Sequence, residues 1–370
     1  MRRNYVEIES LEALEEMLAE GKMLRHCAFQ SIDFSLNPKA MVATYTDCLF
    51  LGCNLPEPMR ERVDANCYVF PSLRRPYNMF SPKLYSAESL YAGYDPAREE
   101  SFKECYDSSV YAHYLATGKS ASDIGETLSR SMHDHSMSDA LHDLLAEYDE
   151  HDVVAIMGGH SLSRADAVYS DVARLSKRLA EQGKLMVSGG GPGAMEATHL
   201  GVWFAGRSDE ELMAAISVLT EAPRFEDAGW LRLAFKVMAS YPRCEKYRSI
   251  GIPTWFYGHE PATPFASHIA KYFDNSIRED GLLAIAKGGV VFSPGSAGTM
   301  QEIFQDAAQN HYKTFGFASP MVFLGKDYWS RQMAAYPLLE RLQAEGRYKN
   351  LMLTLTDDIA EAKEALQWSE

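Results

Sequence analysis

The chain has 370 residues, enough for one large domain or two ordinary ones, and its 46% hydrophobic and 24% charged residues are typical of a globular protein. Its formal net charge of −15 disfavours a nucleic-acid partner, because phosphate contacts need a basic surface. Its apolar runs are shorter than the roughly 18 to 20 residues that a membrane span needs, so we expect no membrane association.

The first 150 residues show no regular alternation of strand and helix, and we assign residues 1–150 to an N-terminal extension of regulatory or lid-like character. The basic pair near the start is not followed by an apolar segment, so we predict no signal peptide and a cytoplasmic protein. Six cysteines lie in no usual zinc spacing and are interpreted as reduced thiols. Apolar residues five positions apart in residues 28–34 and 48–55 suggest a pentapeptide-type coil. Residues 109–117 and 122–145 have the pattern of helices.

A group of histidines suggests metal chemistry at first sight: His133, His135 and His142, with Asp134 between the first two. His135 and His142 are two helical turns apart, and no Cys or Glu at a known spacing completes a ligand set. A polar helix face explains the pattern more simply, so we predict no metal site.

From about residue 152 the chain alternates strand and helix, which predicts a parallel sheet covered by helices on both faces. We therefore expect residues 151–370 to form one Rossmann-like, doubly wound α/β catalytic domain. The predicted strands are 153–157, 185–187, 214–219, 253–257, 289–292, 321–324 and 351–355. The predicted helices are 165–179, 194–205, 231–240, 264–278, 297–311 and 357–368.

Two glycine-rich turns each follow a predicted strand and lead into a predicted helix. The first is S-G-G-G-P-G-A-M-E at residues 188–196, and the second is P-G-S-A-G-T-M-Q-E at residues 294–302. Glycine lets the backbone approach a ligand, and the first free N–H groups of the helix point at it, which makes an anion site. Both turns lie at the carboxyl ends of strands, where ligands bind in such sheets. We expect a phosphorylated ligand held from two sides.

Several residues of these turns are candidates for contact with that ligand. Those of the turns themselves are Gly190, Gly191, Gly193, Glu196, Gly295, Ser296, Gly298 and Thr299. The Thr299 hydroxyl, at the start of a helix, can bond a phosphate oxygen or cap the helix. Glu196 is equally compatible with hydrogen bonds to ribose hydroxyls and with a surface carboxylate favoured by the helix dipole.

Together the two turns resemble the LOG family, Rossmann-like proteins with a P-G-G-x-G-T-x-x-E turn that are often mislabelled lysine decarboxylases. The resemblance covers about residues 152–330, and Ser296 stands where the family usually has a second glycine. The run N-S-I-R-E-D-G-L-L at residues 275–283 is more similar to one branch, the bacterial pyrimidine/purine nucleotide 5′-monophosphate nucleosidases. Members of that branch also carry a large N-terminal extension.

The resemblance implies hydrolysis of the N-glycosidic bond of a nucleoside 5′-monophosphate to free base and ribose 5-phosphate. Glu302 matches the family's catalytic glutamate, and Arg278 matches its second catalytic position. A fixed carboxylate near the anomeric carbon stabilises the positive charge that develops on the ribose. Gly159 follows the first strand of the domain, where the family places part of its nucleotide pocket. The resemblance also implies a homodimer or higher homo-oligomer.

Other chemistries are poorly supported by the sequence. NAD binding needs a G-x-G-x-x-G turn with an acidic residue about twenty positions later, and ATP hydrolysis needs a Walker lysine. No lysine stands out for pyridoxal chemistry, so we expect no cofactor. The alternative function is a non-catalytic nucleotide-binding or carrier protein on the same fold. Glu302 together with Arg278 favours the enzyme, because a pure binder does not need a carboxylate beside a bound sugar phosphate.

Overall fold

A computed structural model describes residues 5–21, 24–63 and 65–367. The chain divides into two compact units, the first extending to Leu84 and including His113–Leu141, and the second comprising Tyr85–Ala112 and His142 onward. This division differs from a single boundary at residue 150, because Tyr85–Ala112 belongs with the α/β unit. The backbone of Tyr85 exchanges hydrogen bonds with Ile269 at the edge of that unit's sheet, which explains the assignment.

The first unit is built on short parallel strands. Its elements to residue 70 are β1 (Val6–Ile8), α1 (Leu11–Ala19), β2 (Leu24–Arg25), β3 (Cys27–Gln30), α2 (Pro38–Val42), β4 (Tyr45–Thr46), β5 (Leu49–Leu51), α3 (Glu57–Arg60) and β6 (Tyr68–Phe70). Strands β1, β3, β5 and β6 form one parallel sheet, and β2 pairs with β4. Ala28 pairs with Leu49, and Leu49 pairs with Tyr68, so successive strands stack as in a coil.

Four buried aromatic rings form the centre of this unit: Phe29, Phe34, Tyr45 and Phe50, with ring centroids between 5.1 and 5.9 Å apart. Phe29 and Phe34 are five positions apart in the chain. The spacing noted in the sequence therefore brings both rings into one core, in agreement with a coil of stacked parallel strands.

The helices predicted at 109–117 and 122–145 are present, with slightly different bounds. This connecting part of the chain contains α4 (Ala87–Leu90), α5 (Tyr106–Thr117) and α6 (Ile124–Leu145). None of the helices in the described ranges combines the length and apolar character needed to cross a membrane.

The second unit contains a parallel sheet of seven strands within the described residues. From residue 153 its elements are β7 (Val153–Met157), α7 (Ala167–Glu181), β8 (Leu185–Ser188), α8 (Ala194–Trp203), α9 (Asp209–Leu219), α10 (Trp230–Ser240), β9 (Ser249–Gly251), β10 (His268–Ile269), α11 (Asn275–Ile285), β11 (Gly289–Phe292), α12 (Ala297–Tyr312), β12 (Pro320–Leu324), α13 (Ala335–Ala344), β13 (Met352–Thr356) and α14 (Ile359–Glu364). The strand order is β10-β9-β8-β7-β11-β12-β13. Because the chain winds outward from β7 in both directions, the unit has a Rossmann-like, doubly wound α/β fold, and that prediction is confirmed.

The direction of winding reverses between β7 and β11, which are neighbours in the sheet. Met157, the last residue of β7, pairs with Phe292, the last residue of β11. The two strands therefore end at the same level, and the turns that follow them open on the same crevice. In doubly wound sheets this crevice is the place where ligands bind.

The strand predicted at 214–219 is wrong: these residues form the end of α9. A capping box starts this helix, in which Ser208 Oγ accepts from the Glu211 N–H and the Glu211 carboxylate accepts from the Ser208 N–H. Leu212, Ile216 and Leu219 are buried at helical spacing. The short apolar run alone did not distinguish a helix from a strand.

The predictions for 253–257 and 264–278 are also wrong. The strand predicted at 253–257 is absent there, because β9 already ends at Gly251. Residues 255–257 form a 3₁₀ turn capped by the Thr254 side chain. The second range contains β10, and its helix begins only at Asn275, where Asp274 caps α11. Side-chain caps, which compete with the apolar pattern, decide these boundaries.

Candidate functional site

Gly159, just after β7, links the two glycine-rich turns. Its N–H donates to the carbonyl of Pro294 in the second turn, with an N···O distance of 3.0 Å. Its carbonyl accepts from the N–H of Ala194 at the end of the first turn, at 3.2 Å. Three turns that follow three different strands are therefore joined by backbone hydrogen bonds at the switch point of the sheet.

Close backbone approach makes glycine necessary at two of these positions. A Cβ on Gly193, which has φ of +69°, would lie 2.4 Å from the Gly159 carbonyl oxygen. A Cβ on Gly295 would lie 2.1 Å from Thr299 Oγ1. Since real Cβ atoms do not approach other atoms so closely, a larger residue at either position would push the turns apart.

A cavity of about 420 Å³ opens at this junction, a size typical of small-molecule sites. It is lined by Gly158, Gly159, His160, Met195, Tyr257, Glu260, Arg278, Glu279, Ser296, Ala297, Gly298, Thr299, Gln301, Glu302 and Gln305. The structure thus brings together six of the predicted site residues: Gly159, Arg278, Ser296, Gly298, Thr299 and Glu302.

The N-terminus of α12 forms one wall of the cavity. Ser296 at its N-cap makes no capping hydrogen bond through its side chain. Ser296, Ala297 and Gly298 are exposed at the rim, whereas Thr299 is buried with its side chain against Gly295. A helix end without a side-chain cap leaves N–H groups for a ligand, and the helix dipole favours an anion there.

Glu302 lies one turn further along α12, and its position in this cavity shifts the pKa of its carboxyl. Burial raises the pKa of Glu302 to about 7, Arg278 lowers it and Glu279 raises it. At neutral pH the carboxyl is therefore close to half ionised. When it is ionised, such a carboxyl can stabilise a developing cation, and near neutral pH it can also exchange a proton.

Arg278, on α11, reaches across to the first glycine-rich turn. Its Nε donates to the carbonyl of Ile252 at 2.9 Å, which fixes the guanidinium. A Cβ on Gly189 would lie 2.6 Å from Arg278 Nη2, so the guanidinium packs against the backbone of the first turn. Arg278 therefore adjoins both the first turn and the carboxyl that follows the second turn.

Glu279 is held beside Glu302 by two amide side chains. Asn275 Nδ2 donates to its Oε1 at 2.7 Å, and Gln301 Nε2 donates to its Oε2 at 3.1 Å. Sequence reasoning missed Glu279 as a functional candidate, although it adjoins Arg278 in the chain. Its negative charge influences the protonation of Glu302 directly.

The segment from Thr254 to Ala262, which we call the 254–262 loop, forms the opposite wall. Tyr257 and Glu260 line the cavity, and the Glu260 N–H donates to the Tyr257 carbonyl at 2.9 Å. Glu260 Oε2 lies 3.8 Å from the place of a Cβ on Gly191, so this carboxylate stands over the first turn. The cavity is thus lined by three glutamates and one arginine. Such a site suits a ligand with a compact anion at one end and hydrogen-bond donors elsewhere.

The 254–262 loop is anchored by residues of the Tyr85–Ala112 segment. Asp107 accepts from Trp255 Nε1 at 2.8 Å and from Lys271 Nζ at 2.7 Å, and all three residues are buried. The Tyr91 hydroxyl donates to the carbonyl of Ala262. Sequence reasoning placed this segment in the N-terminal extension, and its contacts have no local signal in the sequence.

Glu196 does not face the cavity, contrary to the suggestion that it contacts ribose. It is fully buried, and its carboxylate accepts from Arg164 at 2.6 and 2.8 Å and from the Tyr169 hydroxyl at 2.9 Å. Glu196 and Gly193 line a neighbouring cavity of about 290 Å³ instead. Because both oxygens of the carboxylate are engaged, we assign Glu196 a structural role.

The first glycine-rich turn lies beneath the cavity, and Gly190, Gly191 and Gly295 support its walls without lining it. The Gly190 N–H donates to Ser188 Oγ at 3.2 Å, and Ser188 bonds His199 Nε2 at 2.8 Å. Burial lowers the pKa of His199 to about 3, so this imidazole is neutral. It serves as a fixed polar link under the turn.

The histidine group of the first 150 residues lies on α6. His133 is buried, and its Nδ1 bonds Asp134 Oδ1 at 2.9 Å. Across the described ranges, no three His, Cys, Asp or Glu side chains are grouped as metal ligands.

No family model matches the chain. No curated protein matches it either. Among solved structures, the chain is similar to the molybdenum cofactor binding protein from the phototrophic bacterium Rippkaea orientalis, with 13% identity and a TM-score of 0.35. The match covers 57% of this chain and 93% of that one. At this level of similarity it says nothing about what the present chain binds or does, and the fold follows from the strand order and register.

Proposed function

We propose that this protein hydrolyses the N-glycosidic bond of nucleoside 5′-monophosphates, releasing the free base and ribose 5-phosphate. The observation that carries the proposal is the position of Glu302, a carboxyl with a pKa of about 7, beside Arg278 and one turn from an uncapped helix N-terminus. The resemblance of both glycine-rich turns to the LOG family supports the same reaction.

In this proposal the 5′-phosphate binds at the start of α12. The N–H groups near Gly298 and Thr299 and the Thr299 hydroxyl supply hydrogen bonds, and Arg278 supplies the positive charge. The ribose then extends towards Glu302. The acidic remainder of the cavity, with Glu260 and Glu279, accepts hydrogen bonds from ribose hydroxyls or from N–H groups of the base.

The reaction is a displacement at the anomeric carbon. The bond between C1′ and the base nitrogen breaks, and its electron pair leaves with the base, while the oxygen of a water molecule bonds to C1′. The Glu302 carboxylate stabilises the positive charge on the ribose and accepts the proton of the attacking water. The departing base takes a proton from solvent.

The test is direct: purified protein is incubated with AMP, GMP, CMP, UMP and IMP, and free base is measured by chromatography. We expect base release from at least one nucleotide, and its loss in Glu302→Gln, which keeps the shape of the side chain and removes its charge. Tight binding of a nucleotide without release of base by the native protein would favour the alternative, a nucleotide-binding or carrier protein.

A homo-oligomer, at least a dimer, is part of the proposal, as is a cytoplasmic location. Both rest on the sequence. Light scattering coupled to size-exclusion chromatography tests the first, because a protein that elutes at the 41.4 kDa of a single chain at all concentrations would contradict it. Fractionation of cells expressing the tagged chain tests the second.

A further inference from the structure

A second cavity, of about 320 Å³, lies in the same unit and has aromatic walls. Tyr94, Phe102, Phe225 and Trp230 line it. The rings of Tyr94 and Phe102 are in edge-to-face contact, with centroids 6.5 Å apart and planes inclined at 85°. Aromatic side chains that line a cavity can hold an organic cation through their π faces.

Trp230 separates this cavity from the neighbouring one that contains Arg164. Trp230 lines both cavities, and the guanidinium carbon of Arg164 lies 4.6 Å from the Trp230 ring centroid. Arg164 already uses one part of the indole for a cation–π contact. The walls formed by Tyr94 and Phe102 have no comparable cation in the described part of the chain.

Three carboxylates also line the cavity, Glu99, Glu226 and Asp227, and the remaining lining residues are Leu231, His259 and Pro261. Glu99 accepts from the Gly229 N–H, and Asp227 accepts from the Arg224 N–H at 2.7 Å, so both are positioned by backbone. No lysine or arginine belongs to the lining among the described residues. The exposed Arg232 side chain lies near the rim, where it contacts Gly229. The walls therefore combine aromatic faces with excess negative charge.

The Tyr94 hydroxyl adds a feature that apolar packing does not explain. Its oxygen is buried and has no hydrogen-bond partner within the described residues. A buried hydroxyl without a partner destabilises a protein.

We propose that this cavity, defined by Tyr94, Phe102, Phe225, Trp230 and the three carboxylates, binds a primary alkylammonium ion. The aromatic faces attract the cation, the carboxylates neutralise it, and its N–H groups donate to the carboxylates. The site is distinct from the one lined by Glu302, and the proposal stands whether or not the chain hydrolyses nucleotides.

The test is calorimetric titration of the full-length protein with 1,4-diaminobutane and with 1,4-butanediol, a neutral molecule of the same length. We expect one diamine to bind per chain and the diol to bind far more weakly. Equal affinity for the two would overturn the proposal and mark an apolar cavity only. No heat of binding with diamine up to about 10 mM would also overturn it.

Variants separate this site from general attraction of a dication to an acidic protein. Phe102→Leu, which keeps an apolar side chain, should weaken diamine binding by about 3- to 30-fold, the range expected for one cation–π contact. Glu226→Gln, at an exposed carboxylate, should weaken it as well. Glu221→Gln is the matched control and should bind like the native chain. Unchanged binding in Phe102→Leu and Glu226→Gln alike would refute the site.

Discussion

Arg278 lowers the pKa of Glu302, and burial in the same cavity raises it, so that the resulting pKa is about 7. The two residues lie on different helices, α11 and α12, and each adjoins one of the glycine-rich turns. The arginine thus offsets part of the effect of burial, and the carboxyl is close to half ionised at neutral pH. This balance of charge is the part of the site most open to experiment.

The pH dependence of hydrolysis should report this balance. Because the proposed mechanism needs the carboxylate, kcat/KM should rise with pH through the pKa of Glu302, about 7. Glu279→Gln removes a negative charge that raises that pKa, so the rise should move to lower pH. The profile is measured with one nucleotide between about pH 5 and 9, and Glu340→Gln, at an exposed and distant carboxylate, is the control. A profile that does not move in Glu279→Gln would contradict the assignment.

Replacing Glu302 should abolish activity without unfolding the protein. Removal of one preorganised charge typically lowers kcat by about 10²- to 10³-fold. Glu302→Gln and Glu302→Ala should both lose this much, and because burial disfavours the ionised form, the melting temperature should not fall. Near-native turnover in either variant would leave Glu302 as no more than a helix-dipole residue.

The 5′-phosphate should be required for turnover. The uncapped start of α12 and the guanidinium of Arg278 are suited to a dianion, and adenosine lacks this group. We expect kcat/KM for adenosine to be lower than for AMP by about 100-fold or more, since the energy of phosphate binding positions the ribose. Comparable kcat/KM values for adenosine and AMP would contradict the assignment of the phosphate site to the start of α12.

Asp306 should make stability depend on pH. This carboxyl lies one turn beyond Glu302, is 2% exposed, and has an Oδ2 without a hydrogen-bond partner in the described structure. Burial raises its pKa to about 8. The folded protein therefore keeps the Asp306 proton up to about pH 8, whereas the unfolded chain loses it near pH 4, so this group lowers stability as pH rises between those values.

Asp306→Asn removes this titration. Its free energy of unfolding, relative to the native chain, should increase from pH 5 to pH 8 by at most about 1.4 kcal/mol per pH unit. Urea unfolding at both pH values measures the difference, with Glu210→Gln as an exposed control. A constant difference between the variant and the native chain would mean that Asp306 is not protonated in the folded state.

Removing Asp107 should destabilise the protein because it leaves the ammonium of Lys271, which is buried, without its partner. Breaking a buried ion pair in this way costs about 3–5 kcal/mol. Asp107→Asn should therefore unfold at lower denaturant, and the double variant Asp107→Asn/Lys271→Met should recover much of the loss. If the single and double variants are equally unstable, the loss of stability does not come from leaving the Lys271 ammonium without its partner.

The same contacts bear on truncation of the N-terminal extension. A chain starting near Glu150 lacks Tyr91 and Asp107, which bond to the 254–262 loop and to Lys271. We expect this truncated chain to expose apolar surface, to melt at lower temperature and to lose activity. A soluble, monodisperse and kinetically unchanged fragment would show that these contacts are dispensable.

Local sequence signals determined the fold class and the centre of the site. Apolar runs ending in glycine-rich turns predicted β7, β8 and β11 correctly, because such strands are buried on both faces and the turns must pass close to neighbouring backbone. The spacing within the second turn placed Thr299 and Glu302 on the first two turns of α12, where helical geometry alone brings them to the same cavity.

Tertiary structure decided what depends on residues far apart in the chain. Arg164 binds the Glu196 carboxylate away from the cavity of Glu302. Burial and the charge of Glu279 raise the pKa of Glu302, and the charge of Arg278 lowers it. The anchoring of the 254–262 loop by Asp107 likewise joins distant segments. Such contacts leave no periodic pattern and no spacing rule, since they depend on which surfaces meet after the strands have paired. The glycines could therefore be recognised from the sequence, but the electrostatics of the site could not.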